Sequence, residues 1–491
     1  MLDFAPATLE LPRGHFIDGA LQADTREPIA MRRPSDGAVY SEVPMADAET
    51  VDRAVRNARD AQRSSDWARQ APRARADILR RWADLIDRQR IALAQLEALG
   101  STRPIAQAAG WDIPYLAKTI RFFAELADKQ GGDVAPTAEG QLGFTVTEPY
   151  GVVAAIAPWN FPLVMAGWKL APALAAGNAV VLKPSELTPL SALYLAELAV
   201  EAGMPAGLFN VVQGDGPTTG DALCRHPDVA KITFTGSTAT GAAIMAASAE
   251  SGIKPVTLEL GGKSPQLVFA DADADLAARC VARGILGNAG QVCVSGSRLV
   301  VHRRLQDELL ERTTALMSQV TPGPTWQEAT GFSPIISAKQ FDRIDGLVKS
   351  TVGQGAELLI GGRSIEADGE GAFYAPTILA GVTGEMDAVR EEVFGPVLTV
   401  QSFEDEEEGL ALADHPVYGL AAGLFTNDLS RALRAIRHLE VGTVWVNRYG
   451  RSEDFAIPTG GFKRSGIGKD LGREAFEANL RKKSVLIDIG D

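Results

Sequence analysis

The amino-acid sequence predicts an α/β protein with two doubly wound parallel-sheet domains. Between about residues 141 and 262, short apolar runs rich in β-branched residues alternate with helix-compatible runs, and a second series of the same kind covers residues 264 to about 447. Strands that are apolar throughout and separated by crossover helices are typical of a parallel sheet with helices on both faces. Ligands of such sheets bind beyond the carboxyl ends of the strands. A cleft between the two halves is therefore the expected place for a site.

The individual elements follow from these runs in chain order. Residues 1 to about 46 are predicted to form short extended pieces. After them, apolar residues at helical spacing predict two amphipathic helices, one that contains Val51 and Val55 and one that contains Ile78 and Leu85. The first series predicts strands at 151–157, 179–182, 209–212, 232–234 and 256–260, with helices at 162–175, 189–202, 218–224 and 238–251. The second predicts strands at 266–269, 299–301, 358–360, 397–400, 421–425 and 443–446, with helices at 305–320 and 429–439. An apolar strand at 484–488 needs a second sheet to cover its edge.

Composition narrows the class of protein. A chain of 491 residues, 46% hydrophobic and 22% charged, is typical of a globular protein with two or three domains. The net charge of −14 leaves no basic excess, so we expect no nucleic-acid or anionic-membrane partner. No apolar run reaches the ~18 residues of a membrane span, and residues 1–6 show no secretory signal. Cys224, Cys280 and Cys293 form neither a disulfide framework nor a metal-ligand spacing, which predicts no metal site and a cytoplasmic location.

Cys293 stands at the most informative turn of the chain. It follows a helix-compatible run over 273–289, and Gly290 and Gly296 flank it before the β-branched run at 299–301. Glycines permit close approach of the backbone to a bound molecule. A cysteine at a sharp turn can point its sulfur into a cleft, although a lone cysteine is more often a buried structural residue.

Candidate ligand groups follow three strands of the first series. Lys183-Pro184-Ser185-Glu186 comes after the second strand, and its carboxylate could accept the hydroxyls of an adenosine ribose. The third strand leads into Gly214-Asp215-Gly216, and the fourth into Gly236-Ser237-Thr238, a turn that opens a helix and suits a pyrophosphate. None is the G-x-G-x-x-G fingerprint, and a helix cap or tight turn is the favoured interpretation of each motif taken alone.

Glu259 interrupts the apolar fifth strand. A buried carboxylate is costly unless it is paired or functional, and desolvation raises its pKa toward the range useful for a general base. None of the five histidines lies within eight residues of Cys293, so a carboxylate is the favoured base. The alternative is a salt bridge between Glu259 and a nearby lysine.

Taken together, these motifs resemble the NAD(P)-dependent aldehyde dehydrogenase superfamily along essentially the whole chain. The resemblance rests on six motifs in the family's order, namely Pro158-Trp159-Asn160-Phe161-Pro162, Lys183-Pro184-Ser185-Glu186, Phe234-Thr235-Gly236-Ser237-Thr238, Leu258-Glu259-Leu260-Gly261-Gly262-Lys263, Gly290-Gln291-Val292-Cys293 and Glu391-Glu392-Val393-Phe394-Gly395-Pro396. Six motifs in one order are far more specific than any one of them.

The resemblance implies a division into three parts. A Rossmann-like dinucleotide-binding domain would comprise residues 1–129 and 150–258, and a catalytic domain residues 259–447. A small β oligomerisation element would comprise 130–149 and 474–491, with 448–473 as a substrate-lining and glycine-rich loop region. Family members usually form dimers or tetramers, so a homodimer or homotetramer is expected.

The resemblance also implies a reaction, the oxidation of an aldehyde to its carboxylic acid, with catalytic roles for four residues. Cys293 would be the nucleophile, and the Asn160 amide with the backbone N–H of Cys293 would hold the oxyanion. After hydride transfer to the nicotinamide, Glu259 would activate the water that hydrolyses the thioester. Lys169 would belong to the proton route from Glu259.

The cofactor implied is NAD, with NADP as the alternative. Lys183 and Glu186 would contact the adenosine ribose, Ser237 the pyrophosphate, and Glu392 with Phe394 the nicotinamide ribose. The charge of Glu186 would repel a 2′-phosphate, which favours NAD. The other cofactor-binding positions expected are Ile156, Pro158, Trp159, Ser185, Gly216, Phe234, Gly236, Leu260 and Gly261.

For the substrate site we predict an apolar pocket with a polar mouth. The predicted walls are Phe161, Met165, Trp168, Val292 and Val294, and the predicted mouth residues that contact substrate are Arg451 and Phe455. Arg448, Glu453 and Asp454 place further charges in the same loop, where relatives that oxidise simple apolar aldehydes tend to be more apolar. This departure argues against a plain short aliphatic aldehyde, unless the charges are only solvated.

Three alternatives remain at this point. A coenzyme-A-acylating dehydrogenase would use a thiol instead of water, but such relatives generally lack a carboxylate at the position of Glu259. A cysteine-dependent hydrolase would need a histidine, and His302, the nearest, follows a predicted strand. A non-catalytic reuse of the fold would predict loss of Cys293 or Glu259, and both are present.

Overall fold

The computed structural model describes residues 2–24, 28–367 and 371–490; Met1 and Asp491, the outer bounds of the predicted division, lie outside these ranges. The strands are, in chain order, β1 (His15–Ile17), β2 (Ala20–Gln22), β3 (Ile29–Arg32), β4 (Val39–Val43), β5 (Val134–Ala135), β6 (Gln141–Pro149), β7 (Val152–Ile156), β8 (Ala179–Lys183), β9 (Phe209–Val211), β10 (Val229–Thr235), β11 (Val256–Glu259), β12 (Pro265–Val268), β13 (Arg298–His302), β14 (Glu357–Ile360), β15 (Thr377–Ala380), β16 (Val397–Phe403), β17 (Tyr418–Gly419), β18 (Ala421–Phe425), β19 (Thr443–Val446), β20 (Phe462–Lys463), β21 (Gly466–Ile467) and β22 (Leu480–Asp488).

The helices connect these strands. They are α1 (Ala48–Ser64), α2 (Pro72–Arg88), α3 (Arg90–Gly100), α4 (Ile105–Gln107), α5 (Ile113–Leu126), α6 (Pro162–Ala175), α7 (Leu190–Glu201), α8 (Asp221–Arg225), α9 (Thr238–Glu250), α10 (Ala274–Leu286), α11 (Arg303–Met317), α12 (Ala338–Gly353), α13 (Asp387–Arg390), α14 (Glu406–Ala413), α15 (Leu429–His438) and α16 (Gly472–Glu477). Short 3₁₀ turns occur at Pro6–Thr8 and Gly287–Gly290, and π-helical turns at Ala108–Asp112 and Gly216–Gly220.

The first sheet has the spatial order β2-β1-β9-β8-β7-β10-β11-β21. Its five central strands run parallel, as the apolar runs predict. Both edges are antiparallel, because β1 and β2 form a hairpin at one side and β21 returns beside β11 at the other. These edge strands have only two or three residues each, too short to show a period-two pattern in the sequence.

The second sheet has the order β14-β15-β16-β13-β12-β18-β19. It is parallel except for β14, which pairs antiparallel with β15. Two predicted strands, β18 and β19, have the predicted bounds. The α/β class with two helix-covered, mainly parallel sheets is therefore confirmed.

A separate three-stranded sheet forms from β22, β6 and β5. Strand β22 pairs with β6 along nine residues, from Leu480↔Pro149 to Asp488↔Gln141. The predicted terminal strand thus pairs with β6, which belongs to the segment 130–149 of the same predicted element. The division into domains stays a prediction.

Helix α6 lies in the core of the molecule. All fourteen of its residues are buried, as expected for a helix that is apolar on every side. Pro162 occupies its first turn, where the missing N–H costs nothing. The helix holds Met165, Trp168 and Lys169 rigidly beside the first sheet. Within the described ranges, no helix is both long and apolar enough to cross a membrane.

Candidate active site

A cavity of about 660 Å³ opens where three neighbouring strands of the first sheet end. Strands β7, β10 and β11 are adjacent, and the residues at or just after their carboxyl ends, including Asn160, Ser237 and Glu259, line the cavity. The turn that carries Cys293 lines it from the second half of the chain. The predicted cleft at the carboxyl ends of the strands is present.

The cysteine turn has an unusual backbone. After α10, Asn288, Ala289 and Gly290 have φ values of 48°, 51° and 71°. The left-handed region costs a non-glycine residue roughly 1–2 kcal/mol, with asparagine the most tolerant. Gly290 cannot be replaced without collision, since a Cβ there would lie 2.0 Å from the carbonyl oxygen of Gly395. Such strain persists only where the surroundings enforce it.

Hydrogen bonds with three other segments enforce it. The Thr102 hydroxyl donates to Asn288 Oδ1 at 2.7 Å, and Asn288 Nδ2 donates to the carbonyl of Asn160 at 3.0 Å. The fully buried Gln291 side chain donates to the Pro334 carbonyl at 2.9 Å and accepts from the Ile336 N–H at 3.0 Å. The turn before Cys293 is therefore held in one conformation from both sides.

Asn160 presents an oriented amide to the cavity. Its Nδ2 donates to the carbonyl of Gln291 at 2.9 Å, and because a carbonyl can only accept, this contact fixes which end of the amide is the nitrogen. The same nitrogen carries a second N–H. Asn160 is buried and on the cavity wall, so this N–H can serve as a donor for an anion formed near Cys293.

The environment of Cys293 disfavours its thiolate in the protein alone. Burial raises the pKa of the Cys293 thiol to about 12, and the carboxylates of Glu392 and Glu259 add to the rise while Arg451 opposes it. A free cysteine has a pKa near 8.5. Attack by the thiolate therefore requires a proton acceptor or added positive charge in the cavity.

Glu259 meets the requirements for a proton acceptor. It is 6% exposed, and its Oε1 has no hydrogen-bond partner within the described ranges. Burial, reinforced by the negative charge of Asp470, raises the pKa of Glu259 well above its usual range. A Cβ on Gly460 would lie 2.6 Å from Glu259 Oε1, so the loop at Gly460 closes directly over the carboxylate.

Lys169 lies behind Glu259 and not on the cavity wall. Its ammonium forms a buried ion pair with Asp470, and its charge partly opposes the rise in the pKa of Glu259. The predicted alternative, a salt bridge of Glu259 itself with a lysine, is not found among the described residues. Lys169 and Asp470 instead form a charged pair within electrostatic reach of Glu259.

A carboxylate and two aromatic rings converge on the opposite part of the cavity. The Gly262 N–H donates to Glu392 Oε1 at 3.0 Å, and burial raises the pKa of Glu392 to about 7. The rings of Trp159 and Phe394 meet edge to face at 5.3 Å. A Cβ on Gly261 would lie 2.0 Å from Glu392 Oε2, so glycine is needed for this approach.

Two side chains of α12 hold this loop in place. Arg343 donates to the carbonyl of Glu392 at 2.7 Å and Gln340 donates to the carbonyl of Phe394 at 2.9 Å. Both side chains also line the cavity. Neither residue could be expected from the sequence, because a glutamine and an arginine three residues apart on an amphipathic helix carry no signal of a ligand.

The expected adenosine contacts lie on the next strands of the first sheet. At the end of β8, Lys183 Nζ donates to the Pro184 carbonyl at 3.1 Å and lies 3.4 Å from Glu186 Oε2. Asp215, which precedes the π-helical turn at Gly216–Gly220, is close enough to raise the pKa of Lys183, although burial lowers it overall. Ser237 caps α9 by accepting from the Thr240 N–H at 3.2 Å, and the N–H groups of that first turn can bind an anion.

The cavity wall contains most of the predicted site residues. They are Pro158, Trp159, Asn160, Phe161, Met165, Trp168, Gly236, Ser237, Glu259, Leu260, Gly261, Val292, Cys293, Val294, Glu392, Phe394 and Arg451. Predicted residues that lie off the wall are Ile156, Lys169, Lys183, Ser185, Glu186, Gly216, Phe234 and Phe455. Phe455 lies off it because its ring packs against Tyr115 and Phe122. Wall residues that the sequence analysis did not name include Arg103, Trp111, Arg283, Gln340 and Arg343.

The geometry excludes the histidine-dependent alternative. His302 accepts a hydrogen bond from the Arg304 N–H at the start of α11 and stacks edge to face on Phe403. None of the described residues that line the cavity is a histidine, and no group of histidine, cysteine and acidic residues among them could hold a metal.

A cysteine and a buried carboxylate line one cavity beside the start of α9, at the end of a parallel sheet. This arrangement suits a thiol-dependent enzyme with a dinucleotide site. A comparison with protein families names it more closely. The model described as the aldehyde dehydrogenase family matches residues 21–485. The chain belongs to the aldehyde dehydrogenase family, whose members are oxidoreductases that act on aldehydes.

Solved structures agree with this assignment. The γ-glutamyl-γ-aminobutyraldehyde dehydrogenase of Burkholderia cenocepacia is 42% identical, with a TM-score of 0.96 over 99% of this chain and 98% of that one. An indole-3-acetaldehyde dehydrogenase of P. syringae, in complex with NAD+ and IAA, is 41% identical, with a TM-score of 0.95 over 98% of both chains. The NAD+ complex of the aldehyde dehydrogenase of Bacillus cereus is 39% identical, with a TM-score of 0.94 over 98% of this chain and 97% of that one.

Proposed function

We propose that this protein oxidises aldehydes to carboxylic acids with NAD, through a thioester on Cys293. The observation that carries the proposal is the convergence of Cys293, the oriented Asn160 amide and the buried Glu259 carboxylate on one cavity. The Cys293 thiol gives up its proton to solvent, the thiolate adds to the aldehyde carbon, and the carbonyl oxygen becomes an oxyanion. The Asn160 N–H and the backbone N–H of Cys293 stabilise this oxyanion.

We expect the cofactor to enter the other part of this cavity and to extend beyond it along the first sheet. Glu392 and Phe394 would hold the nicotinamide ribose, Ser237 and the α9 terminus the pyrophosphate, and Lys183 with Glu186 the adenosine ribose. Bound NAD supplies the acceptor for the hydride that leaves the substrate carbon. Two of the similar structures are NAD+ complexes, which supports NAD for this chain.

The acyl group must then leave Cys293. Glu259, whose pKa is raised by burial, takes a proton from water as the water oxygen attacks the thioester carbon. The thiolate is expelled and the carboxylic acid is released. The Lys169–Asp470 pair lies within electrostatic reach of Glu259 and would carry the proton onward.

The rate of NADH formation tests this reaction. An aldehyde panel with NAD should give one NADH and one carboxylic acid per aldehyde, because water takes the acyl group. Adding coenzyme A should leave the rate and the product unchanged. Formation of an acyl-coenzyme A in preference to the acid would instead support the acylating alternative and would contradict the role given to Glu259.

Cofactor choice gives a second expected result. We expect a higher kcat/KM with NAD than with NADP, since the Glu186 carboxylate would repel a 2′-phosphate while Lys183 partly offsets it. Changing Glu186→Gln should raise the ratio of kcat/KM for NADP over NAD by roughly tenfold. The exposed Glu201→Gln on α7 serves as a charge-matched control. An NADP preference in the unaltered protein would contradict the placement of Glu186.

We also propose a homodimer or homotetramer. Leu142, Leu486 and Ile487 of the three-stranded sheet are exposed, as is Met245 on α9, and exposed apolar groups of this kind are typical of subunit contacts. The cytoplasm is the proposed location, because the three cysteines are unpaired and a thiolate nucleophile needs a reducing compartment.

A further inference from the structure

Arg451 offers an unused hydrogen-bond donor to the substrate part of the cavity. It lies on the cavity wall, with its guanidinium carbon 5.5 Å from the centre of the Trp168 ring. Its Nη2 is buried and has no hydrogen-bond partner within the described ranges. A buried guanidinium N–H without an acceptor carries a desolvation penalty, which a bound acceptor would relieve.

Arg103, which lies on the same wall, is already neutralised. Arg103 forms a two-point ion pair with Asp112, at 2.7 Å and 3.1 Å, and both side chains are buried. Arg451 has no such partner, since none of the described carboxylates lies within ion-pair distance of it. Arg283 adds a second positive charge on the same wall, at an exposed position.

The nearby acidic residues form no ion pair with Arg451 within the described ranges. Glu453 is exposed and forms an ion pair with Lys118, and neither Glu453 nor Asp454 contributes to the wall. The carboxylates that do line the cavity are Glu259 and Glu392, which the reaction and the cofactor use. A positively charged end of a substrate therefore finds no partner here.

We propose that the substrate is an aldehyde whose far end carries a carboxylate, and that Arg451 binds this carboxylate. This inference rests on the proposed aldehyde oxidation and names its substrate class. The rings of Trp111, Phe161 and Trp168 line the cavity and would enclose the apolar body between the two ends. Arg451 thus acts as a specificity-determining residue.

Steady-state kinetics with three substrate series tests the inference. The series are ω-oxocarboxylates of about four to nine carbons, alkanals of the same lengths, and ω-trimethylammonio aldehydes. The readout is kcat/KM for each carboxylate divided by that for the matched alkanal. This ratio is required because Arg451 also lowers the pKa of Cys293, so its loss reduces the thiolate for every aldehyde alike.

In the unaltered protein we expect the ratio to exceed one at the length that spans Cys293 and Arg451. Arg451→Met should lower that ratio by roughly 10- to 100-fold, through KM, and Arg451→Lys should restore part of it. Arg448→Met is the matched control: Arg448 is exposed, lies off the cavity wall, and donates to Gly450 O and Ser452 Oγ of its own loop. It should leave the ratio unchanged.

Two results would overturn the inference: a ratio that Arg451→Met leaves unchanged, or an unaltered protein that prefers neutral or cationic aldehydes at every length. In either case the proposed function stands as long as the alkanals are oxidised. If no aldehyde in any series yields NADH, the proposed function itself fails, and this inference with it.

Discussion

Replacing Cys293 by alanine is expected to lower kcat by a factor on the order of 10⁴ or more, because none of the other described residues on the cavity wall carries a thiol. Cys280→Ala should keep nearly full activity, since Cys280 is half-buried on α10 and outside the wall. NADH formation under saturating aldehyde and NAD measures both variants. A comparable loss of kcat in the two variants would show that the thiols stabilise the folded structure and take no part in the reaction.

The reactivity of Cys293 should also depend on pH in a defined direction. Its pKa is raised to about 12, so in the protein without cofactor the thiolate fraction increases about tenfold per pH unit through the neutral range. Alkylation by limiting iodoacetamide should accelerate accordingly between pH 7 and pH 9, as a general expectation for a raised thiol pKa. Peptide mass spectrometry should place the adduct on Cys293. Full inactivation with Cys293 unmodified would contradict the assignment.

Glu259→Gln is the second large effect that we expect. The amide has the shape of the carboxylate but cannot take a proton from water, so release of the acid should slow by roughly 10²–10⁴-fold. The positive charge of bound NAD would stabilise the thiolate, so thiolate attack and hydride departure would not require Glu259. Rapid mixing with excess aldehyde should therefore show a burst of about one NADH per site followed by slow turnover.

The pH profile separates this role from a structural one. Because the pKa of Glu259 is raised, the base form and the steady-state rate should increase with pH in the unaltered protein, and the variant should lose that increase. Glu97→Gln is the control, since Glu97 is also buried, its pKa is raised to about 8, and it lies outside the cavity wall. If the burst and the steady state of Glu259→Gln fall equally, Glu259 orders the site instead.

The central elements of the fold could be predicted from the sequence. The run at 162–175 is apolar on all sides and became α6 with the same bounds, and the strands at 421–425 and 443–446 are also unchanged. A long apolar run between turn residues can be buried in few other arrangements. Residues 1 to about 46 are predicted to contain short extended pieces, but the bounds and pairing of β1 and β2 could not be predicted, nor could β21, since two or three residues show no pattern and their pairing depends on distant partners.

The residues of the site also include some that the sequence indicates and others that it does not. Cys293 could be identified because it stands in a turn between glycines. Glu259 could be identified because a carboxylate in an apolar strand is costly to bury. Arg343 and Asp470 could not, because a charge on a helix or loop looks the same in sequence whether it faces solvent or a cavity. The positive φ of Ala289 could not be predicted either, because alanine has no preference for positive φ and only tertiary contacts impose it.

The position of β21 affects how the protein is made. It forms the edge of the first sheet next to β11, through Glu259↔Gly466, so the strand that carries Glu259 is completed by residues far downstream. During synthesis, β11 leaves the ribosome with its edge bare, and an uncovered edge strand readily pairs with other chains. Until residues 460–470 have been translated, the nascent polypeptide lacks both the cover over Glu259 and the partner of Lys169. A fragment that ends before residue 460 therefore keeps an uncovered edge at β11 and lacks Asp470, the ion-pair partner of Lys169.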